Sequence, residues 1–260
     1  MIIKNMLFKN NNKKNVKSEA TGVKKNIVSL GYAILAALFI RSFCFEPFSI
    51  PSGSMYPNLK VGDYLFVSKY SYGFSKHSLP FSIPIIPNRL FYTEPSRGDI
   101  VVFKTPEDNK TDYIKRLIGL PGDKIFIQEN QIFINGKKVV TKKIDDSTYK
   151  SFEVDLVRET LDNDKYYDVF EFKNKISFLN TNNFSEILVP DEHFFVLGDN
   201  RDNSQDSRFI GFIPKINLVG RAEVVCVSFD TSVGSFLKFW TWFPALRKDR
   251  FFVSLKPKST

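Results

Sequence analysis

The feature that most constrains the fold of this chain is a series of short β-branched and aromatic runs that are separated by turns. One run ends in Asn135-Gly136, a pair that favours the tight turn of a hairpin. Strands this short and numerous predict a mainly β, antiparallel fold for the 260 residues. The clearest runs are Asp63–Ser68, Asp99–Lys104, Tyr113–Ile118, Lys124–Gln128, Gln131–Gly136, His193–Gly198 and Arg221–Phe229.

The pattern changes over residues 137–188, which are charged and carry weaker strand signals, with a strongly acidic stretch from Glu153 to Glu171. We interpret this segment as a β-rich inserted subdomain. It divides an antiparallel β domain into two parts, 46–136 and 189–260. Residues 75–95 are rich in proline, which predicts an extended loop or ribbon.

Positive charge is concentrated at the two ends of the chain. The whole sequence has 37 Lys and Arg against 28 Asp and Glu, a net charge of +9. Residues 1–25 contribute +6 and residues 247–260 contribute +4, so the body between them is nearly neutral at −1. No basic stripe with interleaved aromatic residues runs through the body, so we expect no nucleic-acid partner.

An uncharged apolar run, 27–40, follows the basic start, and beyond Arg41 it continues as Ser-Phe-Cys-Phe to residue 45. We predict one helix over 24–45, because an arginine near a helix end can reach the membrane interface. A cleaved signal peptide would need a poor cleavage site at residues 42–44, and a core helix is not usually preceded by a basic tail. A transmembrane signal anchor is therefore favoured. The positive-inside rule then makes residues 1–23 a cytoplasmic tail and places the domains across the membrane.

The C-terminal segment Phe236–Phe243 is aromatic but too short to span a bilayer. It would either lie on the membrane interface or pack as a strand.

Three polar clusters are candidates for chemistry. The first, Ile50–Pro57, has two serines around a glycine between prolines. Such a stiff turn can present a hydroxyl beside a free backbone N–H, although a simple linker after the helix has a similar composition.

The second cluster, Asp112–Asp123, places Lys115 and Arg116 on opposite faces of a predicted strand. If one cation lies against an apolar surface, a lysine there has a lowered pKa and can act as a general base. The alternative is an edge strand with both cations solvated.

The third cluster, Gly198–Pro214, is dense in polar residues and follows an apolar strand. It is either a solvated loop or a polar network beneath a site. Asp199, Asp202 and Asp206 lack the spacing of a calcium loop, so we expect no metal.

These clusters resemble the motif boxes of the bacterial type I signal peptidases, which are membrane-anchored serine proteases. Pro51–Met55, Asp112–Asp123 and Gly198–Gly211 carry the resemblance, with Gly62-Asp63-Tyr64 and Arg97–Phe103 between them in family order. The resemblance covers about 40–125 and 189–230, but not the segment 137–188, which varies in this family. Tyr56 and Phe209-Ile210 depart from the commoner family residues.

The resemblance implies a Ser–Lys dyad in which Ser54 is the nucleophile and Lys115 is the general base. The Ser54 N–H and the Ser52 hydroxyl would form the oxyanion hole. Ser204 would hydrogen-bond Lys115 and fix its direction. Asp199, Asp206 and Arg208 would support it as an ion-pair network. A dyad without histidine agrees with the presence of only two histidines, His77 and His193, outside these motifs.

The resemblance further implies cleavage of signal peptides of preproteins after small residues in an Ala-x-Ala-like pattern, without a cofactor or metal. The implied partners are the signal peptides, the lipid bilayer and the protein-translocation machinery. The catalytic domain would lie on the outer face of the cytoplasmic membrane. Neither Cys44 nor Cys226 matches a family disulfide, so both are expected as free thiols. The expected substrate-binding residues, for which core packing is the alternative, are Phe48, Ile50, Leu59, Val102 and Ile114.

Two other functions remain open. A Ser–Lys self-cleaving regulator would generally carry a DNA-binding module, for which residues 1–45 are too short and too apolar. A catalytically silent, membrane-tethered β domain for binding or scaffolding would not require both Ser54 and Lys115 in their motifs.

Overall fold

The structure is a computed structural model that describes residues 25–79, 82–162, 164–174, 182–234 and 242–259. The predicted cytoplasmic tail and residues 236–241 of the C-terminal aromatic segment lie outside these ranges. Trp242 and Phe243, the rest of that segment, begin a short helix.

The described chain has one long helix, two short ones and many short strands. The helices are α1 (Lys25–Phe43), α2 (Ser207–Ile210) and α3 (Trp242–Ala245). The strands are β1 (Phe45–Ser49), β2 (Asp63–Ser68), β3 (Ile100–Lys104), β4 (Asp112–Gly119), β5 (Lys124–Gln128), β6 (Gln131–Ile134), β7 (Lys137–Lys138), β8 (Val140–Tyr149), β9 (Phe152–Thr160), β10 (Lys165–Phe172), β11 (Phe184–Leu188), β12 (His193–Leu197), β13 (Ile213–Pro214), β14 (Leu218–Ser228), β15 (Val253–Ser254) and β16 (Lys258–Ser259). The mainly antiparallel β fold is thus confirmed.

Helix α1 is long and apolar enough to cross a membrane, and its side chains are almost all exposed. A core helix of a soluble protein would bury most of its surface, so α1 does not belong to the core of the β domains. It ends at Phe43, and β1 begins at Phe45, so the β domain starts directly where the apolar helix stops.

The main sheet has the strand order β1-β2-β14-β3-β4-β12-β13, with β15 paired to β14. Its central strands are covered on both faces. Ile100 and Val102 of β3 pack into one apolar cluster, and Val101 and Phe103 pack into another on the opposite face. This explains the continuous apolar run in β3, where a strand with one solvated face would alternate.

Two four-stranded sheets complete the fold. The small sheet has the order β11-β5-β6-β7, and the insert sheet has the order β16-β10-β9-β8. Because β7 and β11 fall within 137–188 and pair with β6 and β5, the small sheet crosses both boundaries of the predicted insertion. The subdomain boundaries themselves stay a prediction.

The insert sheet is more regular than the weak strand signals of its sequence indicated. Strand β8 is exposed along most of its length, and charged side chains such as Lys142, Lys143 and Asp146 cover this edge of the sheet. Charged edge strands prevent pairing with other chains, and they lack the apolar alternation by which strands are recognised. Inward-facing Val154 and Val157 of β9 attach the sheet to apolar clusters.

Candidate active site

Ser54 lies in the turn between β1 and β2, and Lys115 lies in the middle of β4. The two side chains meet, with Lys115 Nζ 2.7 Å from Ser54 Oγ. Ser54 is 8% exposed and Lys115 is 4% exposed, so the contact is almost closed to solvent in the free protein. The predicted pairing of these residues, 61 positions apart in sequence, is present in the structure.

Burial is the main influence on the Lys115 amine. Desolvation of its charged form lowers the pKa of Lys115 to about 8, against the opposing effect of the Asp206 and Asp199 carboxylates. The amine also donates to the Ile114 carbonyl, at 3.0 Å. A lysine with this pKa is substantially neutral near pH 8 and has a lone pair that can accept a proton.

Arg116 is also buried, on the opposite face of β4, and it forms a bidentate ion pair with Asp199. Its Nε and Nη2 each lie 2.7 Å from one carboxylate oxygen of Asp199. The guanidinium stacks 4.0 Å from the ring centroid of Tyr167. The edge-strand alternative, in which both cations are solvated, is therefore wrong, because β4 lies between β3 and β12.

The predicted network of Asp199, Asp206 and Arg208 is arranged differently in the structure. Arg208 pairs with Asp206, through Nε and Nη2 at 2.8 Å each, whereas Asp199 forms its ion pair with Arg116. Asp206 also caps α2 and accepts the Gly198 N–H at 2.9 Å. The difference arises because β4 presents Arg116 directly to the start of the third cluster.

The predicted hydrogen bond between Ser204 and Lys115 is absent. Ser204 Oγ is buried and has no hydrogen-bond partner among the described residues. Its side chain occupies the space beside Gly198, where a Cβ would lie 2.2 Å from Ser204 Oγ and 2.6 Å from the Ser54 carbonyl oxygen. Glycine at 198 thus permits the third cluster to approach the turn between β1 and β2 that contains the predicted nucleophile Ser54 (the nucleophile turn), and Ser204 fills the gap.

Asn200 holds the nucleophile turn in place, a role that the sequence did not single out. Its side-chain Nδ2 donates to the Gly53 carbonyl at 3.1 Å, and its backbone N–H donates to the Ser54 carbonyl at 3.0 Å. One residue of the third cluster therefore fixes the carbonyls of both Gly53 and Ser54. The only sequence signal was the density of polar residues in this cluster.

The Ser52 hydroxyl, one of the two predicted oxyanion-hole donors, lies near the Ser54 hydroxyl, and the oxyanion hole itself stays a prediction. Ser52 Oγ lies 3.4 Å from Ser54 Oγ. No described residue accepts a hydrogen bond from the Ser54 backbone N–H. A substrate oxygen beside Ser54 would thus meet a backbone donor and a hydroxyl donor.

The insert sheet contacts the third cluster of the site. Glu159 of β9 and Arg201 of the third cluster form a buried ion pair, with Arg201 Nη2 2.7 Å from Glu159 Oε2. The Phe170 N–H donates to the Asp199 carbonyl at 2.8 Å, and the Phe170 carbonyl accepts the Arg201 N–H at 3.0 Å. No sequence signal pointed to these contacts, because their partners are far apart in the chain.

Tyr149, at the end of β8, packs against the nucleophile turn. A Cβ on Gly53 would lie 2.0 Å from the Tyr149 hydroxyl oxygen. The rings of Tyr149 and Tyr56 lie 5.0 Å apart between centroids. Gly53 is therefore required by the close approach of the insert sheet to the turn.

The predicted substrate-binding residues belong to one apolar cluster. Ile50, Leu59 and Val102 are buried within it, and Phe48 and Ile114 are partly buried against it. Leu59 has no exposed surface and Val102 almost none, so Phe48 and Ile114 present most of the accessible surface of this set. Their contact with a substrate stays a prediction.

Neither histidine touches Ser54. His77 bonds to Ser82 Oγ, and His193 bonds to the Asp191 carbonyl. Within the described ranges, no group of three or more His, Cys, Asp or Glu residues has the arrangement of a metal site. Cys44 and Cys226 are both free thiols.

Residues 23–227 match the sequence profile of the family described as "Signal peptidase, peptidase S26". Signal peptidase I of Rickettsia typhi is 39% identical over 264 residues, covering 94% of this chain and 98% of that protein. Signal peptidase I of Rickettsia prowazekii is 38% identical with the same coverage. A crystal structure of a signal peptidase I from Enterococcus faecalis is 28% identical, with a TM-score of 0.31, and covers 50% of this chain and 97% of that chain.

The profile match spans all the motif segments that surround Ser54 and Lys115, and the two relatives match over nearly their full length. The chain therefore belongs to the signal peptidase family, peptidase S26, and is a serine peptidase.

Proposed function

We propose that this protein removes N-terminal signal peptides from exported proteins, with Ser54 as nucleophile and Lys115 as general base. The observation that carries the proposal is the buried contact of 2.7 Å between Lys115 Nζ and Ser54 Oγ. Family membership supports the class of substrate. The catalytically silent alternative does not explain why a lysine without a carboxylate in contact among the described residues is buried against a serine.

The first step of the reaction transfers the Ser54 hydroxyl proton to the neutral Lys115 amine, while Oγ attacks the carbonyl carbon of the scissile bond. The carbonyl oxygen becomes an oxyanion between the Ser54 N–H and the Ser52 hydroxyl. Lys115 is now an ammonium, and the carboxylates of Asp199 and Asp206 favour this charged form. Burial thus keeps the resting amine neutral, and the two acids stabilise the charge that forms during the reaction.

The second half of the reaction returns the proton. The Lys115 ammonium protonates the amine of the mature protein, which leaves as the C–N bond breaks. The signal peptide is the acyl part and remains as an ester on Ser54 Oγ. The neutral amine then deprotonates a water, which attacks the ester carbonyl and releases the signal peptide with a free carboxylate.

We attribute cleavage after small residues to the apolar cluster that contains Phe48 and Ile114, which we propose to form a shallow surface for the substrate. Phe48 and Ile114 have the accessible surface to contact a small side chain, with Ile50, Leu59 and Val102 behind them. An Ala-x-Ala-like site fits such a surface, since larger side chains would need a deeper pocket.

Cleavage of a preprotein by the full-length protein in detergent tests the dyad. We expect wild type to cut at an Ala-x-Ala site and both Ser54→Ala and Lys115→Ala to be inactive. Ser185→Ala and Lys124→Ala are matched controls on the exposed small sheet and should cut normally. Lack of cleavage by wild type, or cleavage by either dyad variant at the rate of wild type, would refute the proposal.

The proposed topology has the basic tail in the cytoplasm, α1 across the membrane and the catalytic domain outside, where the translocation machinery delivers preproteins. Protease added to intact spheroplasts should digest the catalytic domain and spare an epitope at the N-terminus. Digestion of the epitope with protection of the domain would reverse the orientation.

A further inference from the structure

A second polar site lies where α1 joins the main sheet. A cavity of about 170 Å³ is lined there by Arg41 of α1, Glu46 of β1, Lys69, His77 and Lys104, among others. This volume is many times the ~10–15 Å³ that one water needs by a comparable measure. None of Ser52, Ser54 and Lys115 lines the cavity, although it shares Phe48 with the predicted substrate surface.

The cavity has an excess of positive charge. Glu46 accepts from both Arg41 and Lys69, at 2.8 Å each, and Lys104 pairs with Asp112 at 2.8 Å. Three cations therefore face two carboxylates, which leaves one positive charge uncompensated. Lys69 is 2% exposed and also donates to the Ser78 carbonyl at 2.9 Å, whereas the Arg41 side chain is 63% exposed.

His77 adds one buried ring nitrogen that lacks a partner among the described residues. The residue is 4% exposed, its Nδ1 lies 3.0 Å from Ser82 Oγ, and its Nε2 has no hydrogen-bond partner among the described residues. Burial lowers the pKa of His77 to about 4, as do the cations Lys76, Lys104 and Arg89, so the ring is neutral. When Nδ1 accepts the Ser82 hydroxyl proton, Nε2 carries a hydrogen and is an unused donor.

These observations describe a site for an anion with several acceptor oxygens. Buried donors without acceptors are unfavourable, and an excess of positive charge around a cavity attracts a negative group. Arginine and lysine together are the usual partners of phosphate. The position, at the end of the apolar helix, is the level of lipid headgroups in a bilayer that α1 spans.

We propose that this cavity binds a phosphate group, that of an anionic phospholipid at the surface of the membrane that holds α1. Bound there, the phosphate would join the end of α1 to β1 and β3 and fix the β domain against the bilayer. The proposal rests on the proposed insertion of α1 and is independent of the chemistry proposed for Ser54 and Lys115.

The two histidines provide a direct measurement. His77 lines the cavity, and His193 lies on β12 at the opposite end of the main sheet order from β1. The full-length protein, labelled with ¹³C in its histidine rings, is titrated in neutral detergent micelles with inorganic phosphate, with phosphatidylglycerol or with phosphatidylcholine. We expect the His77 signal to shift saturably with phosphatidylglycerol while the His193 signal stays unchanged.

Charge variants separate a site from a general electrostatic effect. Arg41→Gln/Lys104→Gln removes two cavity cations, and Lys137→Gln/Lys138→Gln removes two exposed cations from β7. The shift should be lost in the first variant and retained in the second, with preprotein cleavage in micelles unchanged in both.

The outcomes decide both the site and its ligand. A response to phosphatidylglycerol alone supports a lipid headgroup, and a response to inorganic phosphate as well supports recognition of the phosphate group itself. Absence of a His77 shift with every probe, or a shift that survives in the cavity variant, overturns the proposal. Because the readout is binding, failure of the proposed protease function would be seen separately, as loss of cleavage by wild type.

Discussion

Lys115 and Arg116 are neighbours on one strand, and both are buried, yet their environments give them opposite properties. Arg116 has a bidentate carboxylate partner, and the charges of Asp199 help to raise its pKa against the effect of burial. No carboxylate among the described residues forms an ion pair with Lys115, so burial dominates and its pKa falls. Arginine cannot lose its proton in a protein, whereas lysine can, so only the lysine face of β4 can accept a proton from a serine.

The pKa of Lys115 predicts the pH dependence of cleavage. The active form has the neutral amine, so kcat/KM should rise as the pH increases through about 8 and level off above it. With the ordinary lysine pKa of 10.5, the rise would come more than two pH units higher. A pH–rate profile with a soluble peptide substrate measures this rise, the ascending limb of the profile.

Asp206→Asn provides the control for that profile. Removing a carboxylate that favours the ammonium form should move the limb to lower pH, provided that the thermal unfolding of the variant resembles that of wild type. A profile that is flat from about pH 7 to 9 would contradict the role of Lys115.

The motif residues at the site and the contact between Ser54 and Lys115 could be predicted from the sequence, but the contacts that support them could not. Ser54 and Lys115 meet as expected. Ser204 was expected to touch Lys115, but it fills the space beside Gly198. Asn200 holds the nucleophile turn through its backbone and its side chain. The sequence does not distinguish it from the other polar residues of the same run.

At the scale of elements, the insert sheet supports both catalytic segments. Glu159 neutralises Arg201, Tyr167 stacks on Arg116, and Phe170 exchanges backbone hydrogen bonds with the third cluster. Tyr149 reaches the nucleophile turn itself. The insert sheet is therefore part of the structure that positions the dyad, although its sequence carries no catalytic motif.

Breaking the buried ion pair should destabilise the protein strongly. Glu159→Gln leaves the Arg201 guanidinium buried without its counter-charge, which typically costs ~3–5 kcal/mol of unfolding free energy. Arg158→Gln is the control on the adjacent residue, because its pair with Asp168 is partly exposed and worth at most ~1 kcal/mol. Denaturant unfolding of the full-length protein in detergent measures both, and equal losses would argue against the proposed support.

Gly53→Ala tests the contact between the insert sheet and the nucleophile turn. The added methyl would lie 2.0 Å from the Tyr149 hydroxyl oxygen, so the turn must shift and cleavage should fall by at least ~100-fold. Tyr149→Phe removes that oxygen and leaves the ring carbon at 3.0 Å, so the double variant should regain part of the activity. If Tyr149→Phe gives no rescue, the loss has another cause than this clash.

Strand prediction succeeded where the apolar pattern was strong and was weakest where charge covered an edge. Strands β2 and β5 have the predicted bounds, because both carry short β-branched or aromatic runs next to turns. Strand β8 is exposed over most of its residues, so its charges obscure any apolar alternation. Its position is set by pairing with β9, which a single sequence does not reveal.

Across the whole molecule, the basic residues near the C-terminus have structural roles. Arg250 is buried in an ion pair with Asp63 of β2, and Arg247 pairs with Asp230. Strand β16 then adds to β10, so the last described residues join the main sheet to the insert sheet. Part of the net charge of +9 therefore ties the end of the described chain to the fold.

The position of the dyad relative to α1 predicts how membrane attachment affects the reaction. Ser54 follows the end of the helix by only eleven positions. The proposed insertion of α1 would therefore keep the site near the membrane surface, where the apolar helix of a signal peptide also ends. Confining enzyme and substrate to one bilayer raises their effective concentration without any new contact. This effect should increase cleavage of an inserted preprotein and leave a soluble peptide unaffected.

Reconstitution of the full-length protein separates the two contributions. Cleavage of a preprotein should be at least ~100-fold faster when enzyme and substrate share vesicles than when they occupy separate vesicles at equal bulk concentrations. The rate with a soluble peptide on the outside should be the same in both preparations, once it is corrected for the fraction of enzyme facing outward. Equal preprotein rates in shared and separate vesicles would mean that substrate capture does not depend on the common bilayer, and α1 would then serve only to retain the enzyme.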